Sequence, residues 1–329
     1  MIIKNFKKNL LYFWKNSFKI ESDENTTILD LNINDEDYNK IKNELNNKKI
    51  DNSQVLNSLK EKLNFLNDKD YALLEEKIFE CMKKPWKLFI EKPTQIPRPM
   101  NILFSKDDGI KEFLIFSTTS QHFDAALNAN NHVIAEVNKR LVNEDRKKIS
   151  DEKLFIIIKE GIDEVFKDLN FDLRLGVRFD NHSNGKYLYN GKELTGNEQL
   201  EYVKTLIETY GLIYIENPFY ENEIELYKKL SEEVRHKCLV CINSKINEYS
   251  RQLTEKVFNT ALLKFHSISQ FENDTKIFKE NNINILSDTN TNADVLAGLG
   301  IPLVKIYNNP EGNKFTERIK KIERELTEI

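Results

Sequence analysis

Residues 211–219 read GLIYIENPF, and the place of Glu216 in that run decides how the rest of the chain is read. Leu212 to Ile215 are apolar or aromatic without a break, the pattern of a parallel strand covered on both faces, and Asn217-Pro218 ends it in a turn. A carboxylate closing such a strand needs a partner, because an isolated buried charge is costly. In a β/α barrel it would stand at the C-terminal rim, where barrel enzymes keep their chemistry.

Working outward, five more apolar runs share this character: LRLGVRF around Val177, KCLVCIN around Val240, ALLKFH around Leu263, INILSD around Ile285 and LVKIY around Val304. Successive centres lie roughly 20 to 40 residues apart with a helical pattern in each interval, which suits a β/α barrel. A doubly wound open sheet is the competing architecture. Upstream, NILFS and KEFLIFST read as two strands, followed by helices in HFDAALNANNHVIAEVNKRLV and SDEKLFIIIKEGIDEVFKDL. The chain therefore reads ββαα and then six βα units.

Residues 1–95 differ in kind. The first glycine of the chain is Gly109, so no phosphate-cradling glycine loop is expected before it. SFKIESDENTTILDLNI suggests two strands about a polar turn, and three capped, helically periodic stretches follow. Pro93, Pro97 and Pro99 then mark a junction near residue 95. The expected organisation is a small N-terminal α+β domain over 1–95 and a barrel over 96–329. Residues 1–18 carry Ile3, Phe6, Leu10 and Phe13 at helical spacing beside Lys4, Lys7 and Lys8. They read either as an element packed on its own body or as a basic amphipathic docking helix.

With 49 basic and 53 acidic residues, the net charge of −4 gives no reason to expect a nucleic-acid partner. Three cysteines, Cys81, Cys238 and Cys241, are too few for a disulfide framework. Cys238 and Cys241, three apart on a strand, face opposite sides and lack a second pair for zinc, so both read as core thiols. No apolar run approaches a membrane span. A cytoplasmic location is expected. Of the five histidines, only His266, at a strand end beside Lys264, is placed to enter a barrel pocket.

Several stretches resemble the strand ends of enolases: KEFLI at 111–115, YIENPF at 214–219, ALLK at 261–264, NADVLAGLGIPLVK at 292–305 and TERIKKIERELTEI at 316–329. Their order within the βα pattern makes the resemblance specific over residues 95–329. It implies the enolase-type ββαα(βα)6 barrel. It also implies a Mg2+ held by three carboxylates on successive strand ends, of which Glu216 matches the middle one. Arg178 stands at the first position, and Ile242 or Asn243 at the third. An arginine about 4 Å from a dication is repelled by roughly 8 kcal/mol at an effective dielectric near 20, so the inherited metal site is expected to be lost.

By the same resemblance Lys264 matches the proton-abstracting base, Lys305 the second active-site lysine and Glu112 an acid on the opposite side of the pocket. The family's acid-bearing GDEGG-type loop is replaced by NEDRKKISDEK, its His-Arg-Ser turn by Asp288, Thr289 and Asn290, and its histidine-bearing glycine loop by SKDDG. The mobile lid of the N-terminal domain has no counterpart. Lys264 and Lys305 are read as partners of Glu216 and Glu112 in an old pocket. The expectation is an enolase-like protein without phosphopyruvate hydratase activity and without a cofactor, acting as a binding or assembly component. A homodimer or a place in a larger complex is the default. Two alternatives stand: a divergent, Mg2+-dependent enolase interconverting 2-phosphoglycerate and phosphoenolpyruvate, and a metal-free binder of a small carboxylate or phosphate through Arg178, Lys264 and Lys305. Within any of them an Arg178–Glu216 ion pair is expected, because Val177 and Ile215 hold matching places on neighbouring strands.

Overall fold

A computed structural model describes residues 1–8, 17–31, 33–90, 95–106, 109–145, 148–180, 182–183, 186–189, 192–234, 236–243 and 257–327. The described chain forms two compact units. One is Met1–Thr94 with Phe265–Asp274 and Asn292–Gly300; the other is Gln95–Lys264, Thr275–Thr291 and Ile301–Ile329.

In the first unit an antiparallel sheet, β1 (Ile3–Lys8), β2 (Ser17–Ser22) and β3 (Thr26–Asp30), carries helices α1 (Asp35–Leu45), α2 (Ser53–Lys62) and α3 (Asp68–Glu80). Each helix starts on an asparagine, Asn34, Asn52 or Asn67, whose side chain accepts from a backbone N–H in the first turn. The docking helix considered for residues 1–18 is not what forms at Ile3–Lys8, which is a strand; Leu10 and Phe13 lie outside the described residues. The strand packs on its own body, the other reading of this segment, and a break in the β1–β2 register between Ile3 and Asn5 accounts for the helical spacing. The irregularity lets Ile3 and Phe6, three apart as on a helix face, both turn inward and be fully buried. Phe6 stacks on Phe18 at 5.4 Å between ring centroids. Of the two later segments in this unit, Phe265–Asp274 is held by Glu75 of α3, which accepts from the backbone N–H of Ile268 at 2.6 Å and of Ser269 at 3.1 Å. It thereby caps the first turn of helix α8 (Ile268–Glu280).

The second unit is a closed eight-stranded barrel. Its strands are β4 (Arg98–Ser105), β5 (Ile110–Phe116), β6 (Arg174–Phe179), β10 (Tyr214–Glu216), β11 (Leu239–Ile242), β12 (Thr260–Leu262), β13 (Asn284–Asp288) and β14 (Leu303–Ile306). Only β5 runs antiparallel to both neighbours; every other pairing in the barrel is parallel. Helices α4 (Phe123–Arg140) and α5 (Asp151–Phe166) follow β5, α6 (Gly196–Tyr210) precedes β10, and α7 (Ile224–Val234) precedes β11. Helix α9 (Ala293–Gly298) precedes β14 and α10 (Pro310–Thr327) closes the chain. This is the ββαα(βα)n order; the helix expected between β11 and β12 falls on residues 244–256, outside the described set.

A small sheet of β7 (His182–Ser183), β8 (Lys186–Tyr189) and β9 (Lys192–Leu194) follows β6. In it His182 pairs with Tyr187. No described helix is long and apolar enough to cross a membrane.

Candidate functional site

The barrel interior is filled by Met100, Leu114, Phe116, Tyr214, Cys241, Leu262, Leu286 and Leu303. Side chains two residues apart on a strand share a face, so the next inward position towards the C-terminal rim is fixed on each strand. It is Arg178 on β6, Glu216 on β10, Asn243 just past β11, Lys264 just past β12, Asp288 on β13 and Lys305 on β14. On the antiparallel β5 the equivalent position lies two residues earlier, at Glu112. On β4 it is the apolar Ile102; on the other seven strands one strand period separates an apolar layer from a polar one.

Within the polar layer four side chains close a ring of alternating charge. Lys305 Nζ lies 3.0 Å from Glu216 Oε2 and 2.5 Å from Glu112 Oε2. Arg178 Nη1 donates to Glu112 Oε1 at 2.9 Å, and its Nε lies 3.6 Å from Glu216 Oε1. Strand pairing dictates this, since Arg178 stands directly opposite both Glu112 and Glu216. Glu112 Oε2 and Arg178 Nε have no aligned hydrogen-bond partner, so their part in the ring is Coulombic. The ring sums to zero charge, and Glu216 and Lys305 are fully buried in it.

Glu216 has two further donors: Tyr214 OH to Oε2 at 3.0 Å and Asn243 Nδ2 to Oε1 at 3.0 Å. Burial pushes its carboxyl up, but Lys305 and Arg178 outweigh burial and leave it below the ordinary carboxylate range. Burial acts likewise against the charge on Lys305, and Glu216 and Glu112 more than compensate, raising its ammonium above the usual lysine value. The Tyr214 hydroxyl is driven well up, first by burial and then by Cys241 and Glu216, so it remains a donor. Tyr214 fits inside the barrel because Gly176 faces it: a Cβ on Gly176 would sit 2.9 Å from Tyr214 Cβ.

The sequence-derived residues divide here. Glu112, Arg178, Glu216 and Lys305 come together, and the expected Arg178–Glu216 pairing is present as the longest side of the ring. Lys264 does not join: it is exposed and forms no ion pair with a described residue. Asp288 lies opposite Lys305 across β13–β14, with its carboxyl raised by burial, and accepts from the Asn290 N–H at 3.0 Å. Cys241 belongs to the apolar layer and Cys238 is buried, in keeping with core thiols. Tyr214 escaped the sequence reading; its signal was the period-two relation to Glu216 within YIE, with glycine opposite.

The donor set does not fit the divalent cation that this barrel type implies. At the three successive strand ends stand a guanidinium, one carboxylate and one carboxamide, and Lys305 already holds the carboxylate. Asn243 Oδ1 is buried without a hydrogen-bond partner, but a single amide oxygen beside two cations is not an octahedral oxygen shell. Among the described residues no three His, Cys, Asp or Glu side chains are grouped so as to hold a metal ion.

A closed eight-stranded β/α barrel with one antiparallel strand and a polar layer at its C-terminal rim defines the class: a TIM-type barrel. Residues 149–284 match the family model for the enolase C-terminal TIM barrel domain. The chain is 30% identical over 151 residues to an enolase of Archaeoglobus fulgidus, covering 40% of this chain and 36% of that one. It is 29% identical over 147 residues to an enolase of Halorubrum lacusprofundi, and 25% identical over 240 residues to one of Methanosphaera stadtmanae, the latter covering 64% of this chain and 55% of the relative. The matched stretches span about a third to about half of these curated relatives. Together with the strand order, these likenesses support a divergent member of the enolase family.

Proposed function

We propose that this chain is an enolase-like barrel that has given up phosphopyruvate hydratase chemistry, works without Mg2+, and serves as a binding or assembly component, as a homodimer or within a larger complex. The closed Glu112–Arg178–Glu216–Lys305 ring carries this reading. Removing a proton next to a carboxylate needs a base and an electrophile that takes up the developing charge. Here Arg178 stands where a metal ligand would be needed, Lys305 is neutralised by two carboxylates, and Lys264 alone is left to act as base.

The test is a coupled assay of the purified protein with 2-phosphoglycerate at saturating Mg2+. No phosphoenolpyruvate should form above background. Turnover that disappears in Lys264→Ala would overturn the proposal in favour of a divergent active enolase. Light scattering reads the assembly state, and a single-chain mass at micromolar concentration would remove the homodimer.

A second reading, metal-free binding of a small carboxylate or phosphate, rests on Lys264, an exposed ammonium that forms no ion pair with a described residue. Millimolar phosphate or 2-phosphoglycerate should then raise the melting temperature, and Lys264→Ala should abolish the rise. A melting temperature that ignores both ligands leaves the scaffold role.

A further inference from the structure

Beside the barrel mouth lies a cavity of about 830 Å3, bounded by the C-terminal half of β4, the exit of β14 and helices α4 and α10. Its size falls within the range of roughly 300 to 1,000 Å3 typical of small-molecule sites and exceeds what a three-carbon acid fills. Helix α4 contributes Asn131, Ile134 and Asn138, one face at i, i+3 and i+7. Helix α10 contributes Asn313 and Thr316, and the β14 exit contributes Tyr307 and Asn308.

Two properties of this lining define what fits. The first is the lack of an unneutralised charge among the described lining residues. Lys106, the one ionised side chain there, is taken up by Asp151 at 2.6 Å and by the Ile149 carbonyl at 2.9 Å. An anion or cation entering would be desolvated without a counter-charge, which is strongly disfavoured. The second is a surplus of free carboxamides. Asn131, Asn308 and Asn313 make no side-chain hydrogen bond with a described residue. Asn101 accepts from Asn130 Nδ2 at 2.8 Å, which leaves its own amide N–H groups available. A carboxamide both donates and accepts, as a hydroxyl does, so a set of them pairs with alternating hydroxyl donors and acceptors without regard to charge. Ile102, Leu127, Ile134 and Ile306 supply apolar surface between these amides.

We propose that this cavity binds an uncharged, hydroxyl-rich molecule of about disaccharide size, laying its C–H face on the isoleucines and its hydroxyls on the asparagines. The site is independent of the charge ring and of any anion at Lys264.

Saturation-transfer NMR on the full chain with maltose, cellobiose and trehalose tests it. At least one sugar at millimolar concentration should receive saturation. The exposed pair Asn131→Leu/Asn313→Leu should weaken that sugar's Kd by about tenfold or more with an unchanged circular dichroism spectrum. Lys264→Ala should bind the sugar as the parent does, which separates this site from the anion reading. No transfer to any of the three sugars overturns the proposal, as does transfer that the asparagine pair leaves unchanged.

Discussion

Glu216 answers the question that its own sequence position raises: a carboxylate buried at a strand end is held by Lys305, Arg178, Tyr214 and Asn243 together. Removing one member of a buried ion pair strands the other and costs about 3–5 kcal/mol, whereas removing both is far cheaper. Lys305→Met strands two buried carboxylates, so it should be more destabilising in urea unfolding than Arg178→Met, whose side chain is 23% exposed. Glu216→Gln/Lys305→Met leaves the Glu112–Arg178 pair and should recover a large part of the Lys305→Met loss; additive losses would mean that the two residues are not coupled. The sign of the pH dependence follows from the shifts. Glu216, lowered in the fold, adds stability that is present above its unfolded value of about 4.3 and lost as pH falls through its folded value. Lys305, raised in the fold, adds stability that is present below about 10.4 and lost as pH rises through its folded value. Asp288, raised by burial, acts in the opposite sense to Glu216 on the acid side, so the quantity to compare is the parent minus Glu216→Gln. That difference should shrink on acidification, and a difference constant with pH would assign Glu216 no net ionic role.

At the scale of elements, the turn between β4 and β5 is tied to the start of α5. Lys106 and Asp151 form a buried pair, and Asp151 Oδ2 also accepts from the Ile110 N–H at 3.2 Å. Gly109 in that turn has φ +74°, and a Cβ there would fall 2.6 Å from Asp151 Oδ2. Gly109→Ala should therefore cost about 1–3 kcal/mol from the left-handed backbone and the displaced carboxylate together. A change within about 0.5 kcal/mol in chemical denaturation would show that the turn relaxes freely. The clamp was not legible in the sequence: Lys106 and Gly109 lie together in SKDDG, but Asp151 comes 45 residues after Lys106, in NEDRKKISDEK, and no spacing rule pairs residues so far apart. The same scale explains the helix-like pattern at the N-terminus: a register irregularity in β1 produces three-residue spacing that mimics a helix face.

For the molecule as a whole, barrel order and strand register were legible because apolar runs and their spacing carry them directly. Val177 does stand opposite Ile215, and Arg178 opposite Glu216. The ring itself was only partly legible. Period-two alternation says which side chains point inward, but not which of two inward lysines reaches a given carboxylate. Lys305 lies on β14 and meets both Glu112 and Glu216, whereas Lys264, past the end of β12, is left exposed. The three-stranded sheet of β7 to β9 was missed because its strands have two to four residues each, too short for a periodicity to register.

The register that places Arg178, Glu216 and Asn243 on adjacent inward positions also sets this barrel's mutational distance from a metalloprotein. Two substitutions, Arg178→Asp and Asn243→Asp, would place carboxylates on either side of Glu216 at successive strand ends. Glu112 and Lys305 would stay paired beside them. Titration calorimetry of that double variant should show Mg2+ binding where the parent shows none. A silent titration would mean that Lys305 keeps Glu216 even when the arginine is gone, and that the lock on this site is the lysine.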